Sequence, residues 1–147
     1  MTFQELQDKI GTQNEADWHQ HSNGGGWVHK SAIVKASARI EEMAIVFSGK
    51  VFGDAWVSGN ARVSGNAQVS GNARVSGDAW EKSPLYIVGT KHTLTNAKKG
   101  HIQIGCHLKP IQWWAENYKD VGKMEGYTEA EIEEYGAYID LFKRLGK

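Results

Sequence analysis

Aliphatic residues recur at every sixth position through the first half of the chain. From Val51 to Trp80 the sequence reads VFGDAW, VSGNAR, VSGNAQ, VSGNAR and VSGDAW, so valine, glycine and alanine hold the first, third and fifth places of each hexad. The same spacing extends back to Val28, with one five-residue step just before Val51. A fixed short period of this kind predicts a solenoid, in which each repeat packs against its neighbours.

The nine units between Val28 and Trp80 indicate a parallel β-helix. Three hexads form one triangular coil, so about three coils stack at roughly the 4.8 Å spacing of neighbouring strands. The first position sends an aliphatic side chain inward, and the fifth position holds an inward alanine near a corner. Gly-Asn or Gly-Asp makes the corner, because these residues tolerate positive φ. Positions two and six are predicted to face outward.

Other elements are predicted on both sides of the repeat. Thr2 and Glu5 form a capping-box pattern for a short helix that ends at Gly11, and we expect this helix to cover one open end of the β-helix. The polar residues 12–26 end in three glycines, which indicates a connecting loop. The predicted divisions are residues 1–26 for helix and loop, 27–83 for the β-helix, and 84–147 for a C-terminal α/β cap.

The C-terminal region predicts three short strands followed by two helices. The strands are LYIVG, KHTLTN and HIQIGCH, and the last two are joined by a turn at residues 96–100. Pro110 suits the first turn of one helix, and Thr128 with Glu131 forms a capping box for the other. The predicted fold class is therefore mainly β, with a β-helix of about three coils, a short N-terminal helix and a small α/β cap.

Composition limits the class of protein. The chain has 147 residues, of which 40 % are hydrophobic and 23 % charged, and its formal net charge is zero. No apolar run approaches the ~20 residues of a membrane span, so no membrane partner is expected. The single cysteine, Cys106, cannot form an internal disulfide and fits a reducing compartment, which favours the cytoplasm.

No metal or other cofactor is predicted. His19, His21 and His29 lack a supporting cysteine or a ligand spacing, so we expect these histidines to face solvent. Cys106 and His107 are neighbours on a predicted strand and point to opposite faces, so they cannot form a nucleophile–base pair. Cys106 is instead predicted to be a small buried side chain.

Charge is segregated in the C-terminal half. Residues 82–115 contain five lysines, three histidines and no acid, whereas residues 116–140 contain eight acids and two lysines. The basic stretch is too short for duplex nucleic acid, which needs a broad basic footprint. Its strands either recognise phosphate or carry lysines that protect a sheet edge. The residues concerned are Lys91, Lys98, Lys99, His101 and His107.

The sixth hexad positions vary most along the repeat. With an 18-residue coil, Trp56 lies beside Arg74 on one face and Arg62 lies beside Trp80 on another. Each pair is about one strand spacing apart, which is close enough for cation–π stacking. Such pairs either pack within the chain or against a neighbouring subunit, or bind a base and a phosphate.

The VSGNAR and VSGDAW repeats resemble those of hexapeptide-repeat proteins. The layout is similar to small phage-encoded members of that group, through the GGGWV segment at residues 24–28, the V-x-G-[ND]-A repeats and the Gly-Cys strand end at residues 104–107. The resemblance covers nearly the whole chain. It implies a left-handed β-helix, a homotrimer, and ligands bound between subunits.

Acyl transfer is the activity for which hexapeptide-repeat proteins are best known, and it implies a histidine base between coils. Residues 34–80 contain no histidine, and only His29 lies near the start of the repeat. We therefore expect a non-enzymatic, oligomeric ligand-binding protein of phage type that sequesters an anionic small molecule, such as a nucleotide or cyclic-nucleotide immune signal. An acyltransferase and a structural or protein-binding oligomer are the alternatives. The predicted ligand-binding residues are Trp56, Arg62, Arg74, Trp80, Lys91, Lys98, Lys99, His101 and His107.

Overall fold

The computed structural model describes residues 1–145 and contains two compact units, which divide between Pro84 and Leu85. The first unit is a three-sided β-solenoid of about three turns that follows a short helix, and the second is a four-stranded sheet followed by two helices. The predicted fold class is confirmed at this level. Within residues 1–145, none of the helices combines the length and the apolar composition that crossing a bilayer requires.

The solenoid is built from very short strands, and all but the first stack in parallel between successive turns. In chain order they are β1 (Trp18–Gln20), β2 (Trp27–His29), β3 (Ile33–Val34), β4 (Arg39–Ile40), β5 (Ile45–Val46), β6 (Lys50–Val51), β7 (Trp56–Ser58), β8 (Arg62–Val63), β9 (Gln68–Val69), β10 (Arg74–Ser76) and β11 (Ala79–Trp80). Its three sides are the sheets β2-β5-β8-β11, β3-β6-β9 and β4-β7-β10, and β1 pairs antiparallel with the edge of β2.

The inward positions of the hexads form the interior of the solenoid. Side chains at the first place, such as Val57 and Val63, and alanines at the fifth place, such as Ala61 and Ala67, have no exposed surface. The corner glycines have φ between +56° and +87°, a region that other residues adopt at a cost. The predicted roles of positions one, three and five are therefore confirmed for the four hexads from Val51 to Arg74. In the last hexad the fifth-place Ala79 is exposed, so its predicted inward position is wrong, because the strand is shifted by one residue.

Helix α1 (Phe3–Ile10) has the predicted capping box, in which Thr2 and Glu5 bond each other's backbone N–H, and it ends before Gly11. Its position differs from the prediction. Leu6 is fully buried in a cluster with Trp18, Trp27 and Ile45, and the last two are the outward neighbours of inward valines. Because its apolar face meets outward side chains, α1 covers the side of a sheet, not an open end.

Residues 12–26 are more ordered than the predicted loop. A 3-10 turn at Glu15–Asp17 leads into β1. His21 follows and is 7 % exposed, with Nε2 2.8 Å from the carbonyl oxygen of Ala38. The prediction that this histidine faces solvent is wrong, because the three glycines after it fold the segment back against the first turn of the solenoid.

The second unit has four strands instead of the predicted three. They are β12 (Tyr86–Val88), β13 (Thr93–Lys98), β14 (His101–Ile104) and β15 (His107–Pro110), paired antiparallel in that order. Gly105, with φ of +57°, and Cys106 form the two-residue turn between β14 and β15. Cys106 is therefore exposed on a turn, and its predicted inward position is wrong.

The predicted turn at residues 96–100 is also shorter than expected. Asn96 and Ala97 are buried within β13, and only Lys99 and Gly100 make the turn into β14. The Asn96 side-chain amide donates to the carbonyl oxygens of Lys98 and His101. This bonding lets a turn-forming residue type lie inside the strand.

Two helices, α2 (Ile111–Met124) and α3 (Glu129–Leu145), bury one face against each other and the sheet. The Trp114 indole donates from Nε1 to the carbonyl oxygen of Ile102 at 2.8 Å. Thr128 and Glu131 form the predicted capping box, with two hydrogen bonds of 3.2 Å. The core of this unit contains Leu94, Ile102, Ile104, Trp114, Tyr135, Ile139 and Phe142.

Candidate ligand-binding site

One face of the solenoid carries an arginine, a tryptophan and a second arginine on consecutive parallel strands. Trp56 on β7 is in register with Arg39 on β4 and with Arg74 on β10. The guanidinium carbon Cζ lies 5.3 Å from the indole centroid for Arg39 and 4.9 Å for Arg74. We call these three residues the Arg–Trp–Arg ladder. The predicted pairing of Trp56 with Arg74 is confirmed.

Arg39 was missed by sequence reasoning because it lies in the turn that contains the shortened repeat unit. A regular coil has 18 residues, but the coil that contains the five-residue step before Val51 has 17. Residues 17 apart are therefore in register across this coil, as Arg39 and Trp56 are. A search at a uniform spacing of 18 residues does not find this pair. The shortened unit VFSGK was the signal in the sequence that could have revealed it.

Both guanidinium groups of the ladder remain available at the surface. Arg39 and Arg74 are exposed, and Trp56 is half-buried beneath them. Nε of Arg39 lies 3.6 Å from Oε1 of Glu41, whereas no ion pair of Arg74 is present among residues 1–145. Stacking uses the flat face of a guanidinium and leaves its N–H edge free to donate two parallel hydrogen bonds to a phosphate or carboxylate.

The second predicted pair, Arg62 with Trp80, is not formed. The backbone of Trp80 is in register with Val63, and Arg62 is opposite Ala79. The last corner, like the one in the shortened unit before Val51, is one residue shorter than a regular corner, and a hydrogen bond from the Asp78 N–H to the Ser76 carbonyl closes it. Trp80 is therefore turned into the solenoid and only 5 % exposed. Trp80 is therefore not a surface residue, whereas Arg62 is exposed on a different face from Trp56.

The five basic residues predicted in the second unit do not form one patch. Lys98 and His101 are cross-strand partners at the β13–β14 turn, and His101 Nδ1 lies 2.9 Å from the carbonyl oxygen of Lys99. His107 lies at the opposite end of β14, where it is the partner of Ile104. The sheet therefore separates His107 from the other basic pair by the length of a strand.

Carboxylates on the helices lie close to the remaining basic residues of this unit. Nζ of Lys91 is 3.7 Å from Oε2 of Glu131, and Nε2 of His107 is 3.6 Å from Oε1 of Glu125. These contacts follow from the charge segregation of the sequence, because the basic strands and the acidic helices fold onto each other. They weaken the attraction of Lys91 and His107 for an external anion.

The second unit also contains a cleft of about 60 Å³ that the sequence did not predict. The ring of His92 lies beside Gly105, and its Nδ1 is hydrogen-bonded to the hydroxyl of Tyr127. The hydroxyl of Tyr135 accepts from the backbone N–H groups of Lys91 and His92 at 3.0 and 2.5 Å. Desolvation raises the pKa of the Tyr127 hydroxyl above its usual range. The lining comes from separate strands and helices, so no local motif reveals it.

The histidines near the start of the repeat do not form a metal site. His29 Nδ1 lies 2.7 Å from Oγ of Ser31, and its ring packs edge-on against Trp18. Among residues 1–145, no cluster of three or more histidine, cysteine or acidic side chains is arranged to hold a metal ion. His19 is exposed on β1, as predicted.

The solenoid sequence is similar to one known repeat family. The family model described as the YdcK beta solenoid repeat matches residues 55–69 and 67–82. Comparisons with curated proteins and with solved structures gave no match. The matched residues span β7 to β11, the most regular part of the repeat. This similarity and the three stacked turns together support a repeat protein of the β-solenoid class.

Proposed function

We propose that this protein is a non-enzymatic, oligomeric ligand-binding protein that binds an anionic small molecule at the Arg–Trp–Arg ladder. The observation that carries the proposal is the pair of exposed guanidinium groups stacked on one indole, Arg39 and Arg74 on Trp56. Stacking holds both groups in place before a ligand arrives, which reduces the entropy lost on binding. Arginine held in this way is well suited to recognise phosphate through two parallel hydrogen bonds.

Nucleotides are the favoured class of ligand. Arg39 and Arg74 are two strands apart, which corresponds to roughly 10 Å, so one ligand with separated anionic groups can contact both. The two guanidinium groups approach the Trp56 indole from the two neighbouring strands. Trp56 therefore orients the arginines, and because they cover its ring, the indole cannot also stack on a nucleotide base. Arg74 belongs to an edge strand of its sheet, and the outer plane of its guanidinium can stack on a base.

An oligomer is part of the proposal, and a homotrimer is favoured by the resemblance to hexapeptide-repeat proteins. The outward side of sheet β3-β6-β9 carries Ile33, which is 51 % exposed, and Phe52, which is 36 % exposed. Apolar side chains that share a sheet face support burial against another subunit. The left-handed winding, the phage origin, the cytoplasmic location and the sequestration of a cyclic-nucleotide immune signal belong to the same proposal and rest on that resemblance.

Calorimetric titration of the full chain with a panel of linear and cyclic nucleotides tests the proposal. We expect Arg74→Ala to weaken binding by about tenfold or more, because a hydrogen bond to a charged group contributes about 1.5–3 kcal/mol. Arg62→Ala is the matched control, since Arg62 is exposed at the same hexad position but lies opposite Ala79. Absence of heat for every nucleotide, with no ligand-dependent change in melting temperature, would contradict the proposal.

A structural or protein-binding oligomer is the second candidate, and the exposed Ile33 and Phe52 favour it. Light scattering measures the assembly separately from ligand binding. An oligomer that persists in Arg39→Ala and Arg74→Ala, together with flat nucleotide titrations, would support this second function. Consumption of acetyl-CoA that is lost in His29→Ala would instead support acyl transfer.

A further inference from the structure

The cleft in the second unit combines aromatic walls with a carboxylate. Its lining residues include Trp114, Tyr118, Tyr127 and Tyr135, together with Glu125. Trp114 and Tyr135 are buried, whereas Tyr118 and Tyr127 are half-buried. An aromatic ring presents negative electrostatic potential on its face, so several rings around one space favour a cation.

The hydroxyl groups of Tyr127 and Tyr135 in the cleft are already hydrogen-bonded within the chain. The Tyr135 hydroxyl accepts two backbone N–H groups and donates to the carbonyl oxygen of His92 at 2.6 Å. A tyrosine hydroxyl is protonated at neutral pH, and burial raises the pKa of Tyr127 further, so this hydroxyl can donate to Nδ1 of His92. The hydroxyl groups of Tyr127 and Tyr135 are therefore uncharged, and their hydrogen bonds hold the two rings in fixed positions.

Glu125 provides the fixed negative charge of the cleft. Its side chain is 46 % exposed, and its Oε1 lies 3.6 Å from Nε2 of His107, which carries a charge only when it is protonated. The remaining lining side chains are aliphatic or aromatic, apart from His92 and Cys106.

We infer that this cleft binds a small organic cation, such as a methylated ammonium headgroup, between the aromatic rings and Glu125. The lining is mostly apolar and Glu125 is its one acidic side chain, which suits a compact cationic headgroup and opposes the phosphates of a nucleotide. The site differs from the Arg–Trp–Arg ladder in charge and in ligand class. Its existence does not depend on nucleotide binding by the solenoid.

Titration of the full chain with choline and with its neutral isostere 3,3-dimethylbutan-1-ol tests this inference, with nuclear magnetic resonance shifts of the Tyr127 and His92 signals as the readout. We expect saturable binding of choline and at least fivefold weaker binding of the alcohol. Equal affinity for the two probes would show an apolar pocket without cation selectivity. Absence of saturable choline binding would likewise overturn the inference.

Two variants separate the carboxylate from the overall acidity of the helices. Glu125→Gln is expected to weaken choline binding about three- to tenfold, because it removes the charge and keeps the shape. Glu133→Gln removes an exposed acid of α3 that does not line the cleft. The choline affinity of this variant is expected to stay within twofold of that of the unchanged chain. Equal losses in the two variants would contradict the assigned site, and both proteins' melting temperatures confirm that they are folded.

Discussion

The backbone of Trp80 lies in parallel register with that of Val63 on the preceding turn. Its indole occupies the place where earlier turns have an inward valine, and only 5 % of it is exposed. Val63 beneath it is fully buried. Nε1 of Trp80 has no hydrogen-bond partner among residues 1–145, so this ring contributes through apolar contact. Trp80 therefore closes the last turn of the solenoid interior.

Replacement of Trp80 by alanine is expected to lower the free energy of unfolding by about 3–5 kcal/mol, the usual cost of removing a large buried aromatic side chain. Urea unfolding followed by circular dichroism measures the loss. Arg62→Ala is the control, because it removes an exposed side chain one position from Val63 and is expected to change stability by about 0.5 kcal/mol or less. Similar losses in the two variants would show that Trp80 is not part of the core.

The corner glycines provide a second prediction, because their surroundings differ. A Cβ at Gly49 would lie 2.4 Å from the carbonyl oxygen of Ala67, whereas at Gly59 the nearest atom would be 3.8 Å away. Both residues have positive φ, +87° and +56°, so alanine costs about 1–2 kcal/mol at either site through backbone strain. Gly49→Ala should cost roughly 1–3 kcal/mol more, because a backbone atom must move.

Urea midpoints of Gly49→Ala and Gly59→Ala measured side by side test this difference. Equal midpoints would mean that the two corners relax equally well around a methyl group. A larger loss for Gly59→Ala would contradict the predicted order. The slope of the urea dependence shows whether both variants unfold with the same exposed surface.

The inward positions of the solenoid could be predicted from the hexads, because one strand and one corner fit within six residues. The registers of the outward side chains were harder to predict, because they depend on every corner having the same length. The short unit before Val51 is visible in the sequence. The pairing of Arg39 with Trp56 was still missed, because partners were sought at a constant spacing of 18 residues. The short corner at Gly77 is hidden, because VSGDAW retains the repeat pattern while Trp80 turns inward.

In the second unit, helices were easier to predict than strands. The capping box at Thr128 and the apolar spacing of α3 are local signals, and both are present in the structure. The turn at Gly105 lacks the Asn-Gly or Asp-Gly pair that marks most two-residue hairpins, so one strand was predicted where there are two. The cleft is lined by His92, by residues 104–107 and by nine residues of the helical region from Trp114 to Ile139. Only tertiary packing brings such distant residues together.

Tyr135 ties the loop before β13 to helix α3, and its hydroxyl provides a third prediction. Tyr135→Phe removes one acceptor for two backbone N–H groups and one donor to the His92 carbonyl. We expect a loss of about 1–3 kcal/mol, since partly buried polar groups lose their partner. Tyr138→Phe is the control, because Tyr138 is half-buried on the same helix and its hydroxyl bonds the side-chain carboxylate of Glu134, not backbone groups of the loop. A loss of unfolding free energy no larger than that of Tyr138→Phe would contradict the conclusion that the Tyr135 hydroxyl holds this loop against α3.

Glu134 predicts a specific dependence of stability on pH. Its Oε1 accepts from the Thr90 hydroxyl at 2.5 Å and its Oε2 from the Thr90 N–H at 2.9 Å. Hydrogen bonds from the Thr90 side chain and then from its backbone lower the pKa of Glu134 below its ordinary value of 4.5. A carboxyl whose pKa is lower in the folded state stabilises the protein above the ordinary value, and this contribution disappears as the pH falls through the lowered pKa.

Glu134→Gln is therefore expected to lower the melting temperature at pH 7, and the difference from the original chain should shrink as the pH falls from about 4.5 toward 2. Melting curves at several pH values between these limits measure the trend. Glu133→Gln is the matched control, because Glu133 is exposed on the same helix and makes no hydrogen bond or ion pair within residues 1–145. A Glu134→Gln difference that stays constant or grows on acidification would contradict the lowered pKa and the role of the Thr90 contacts.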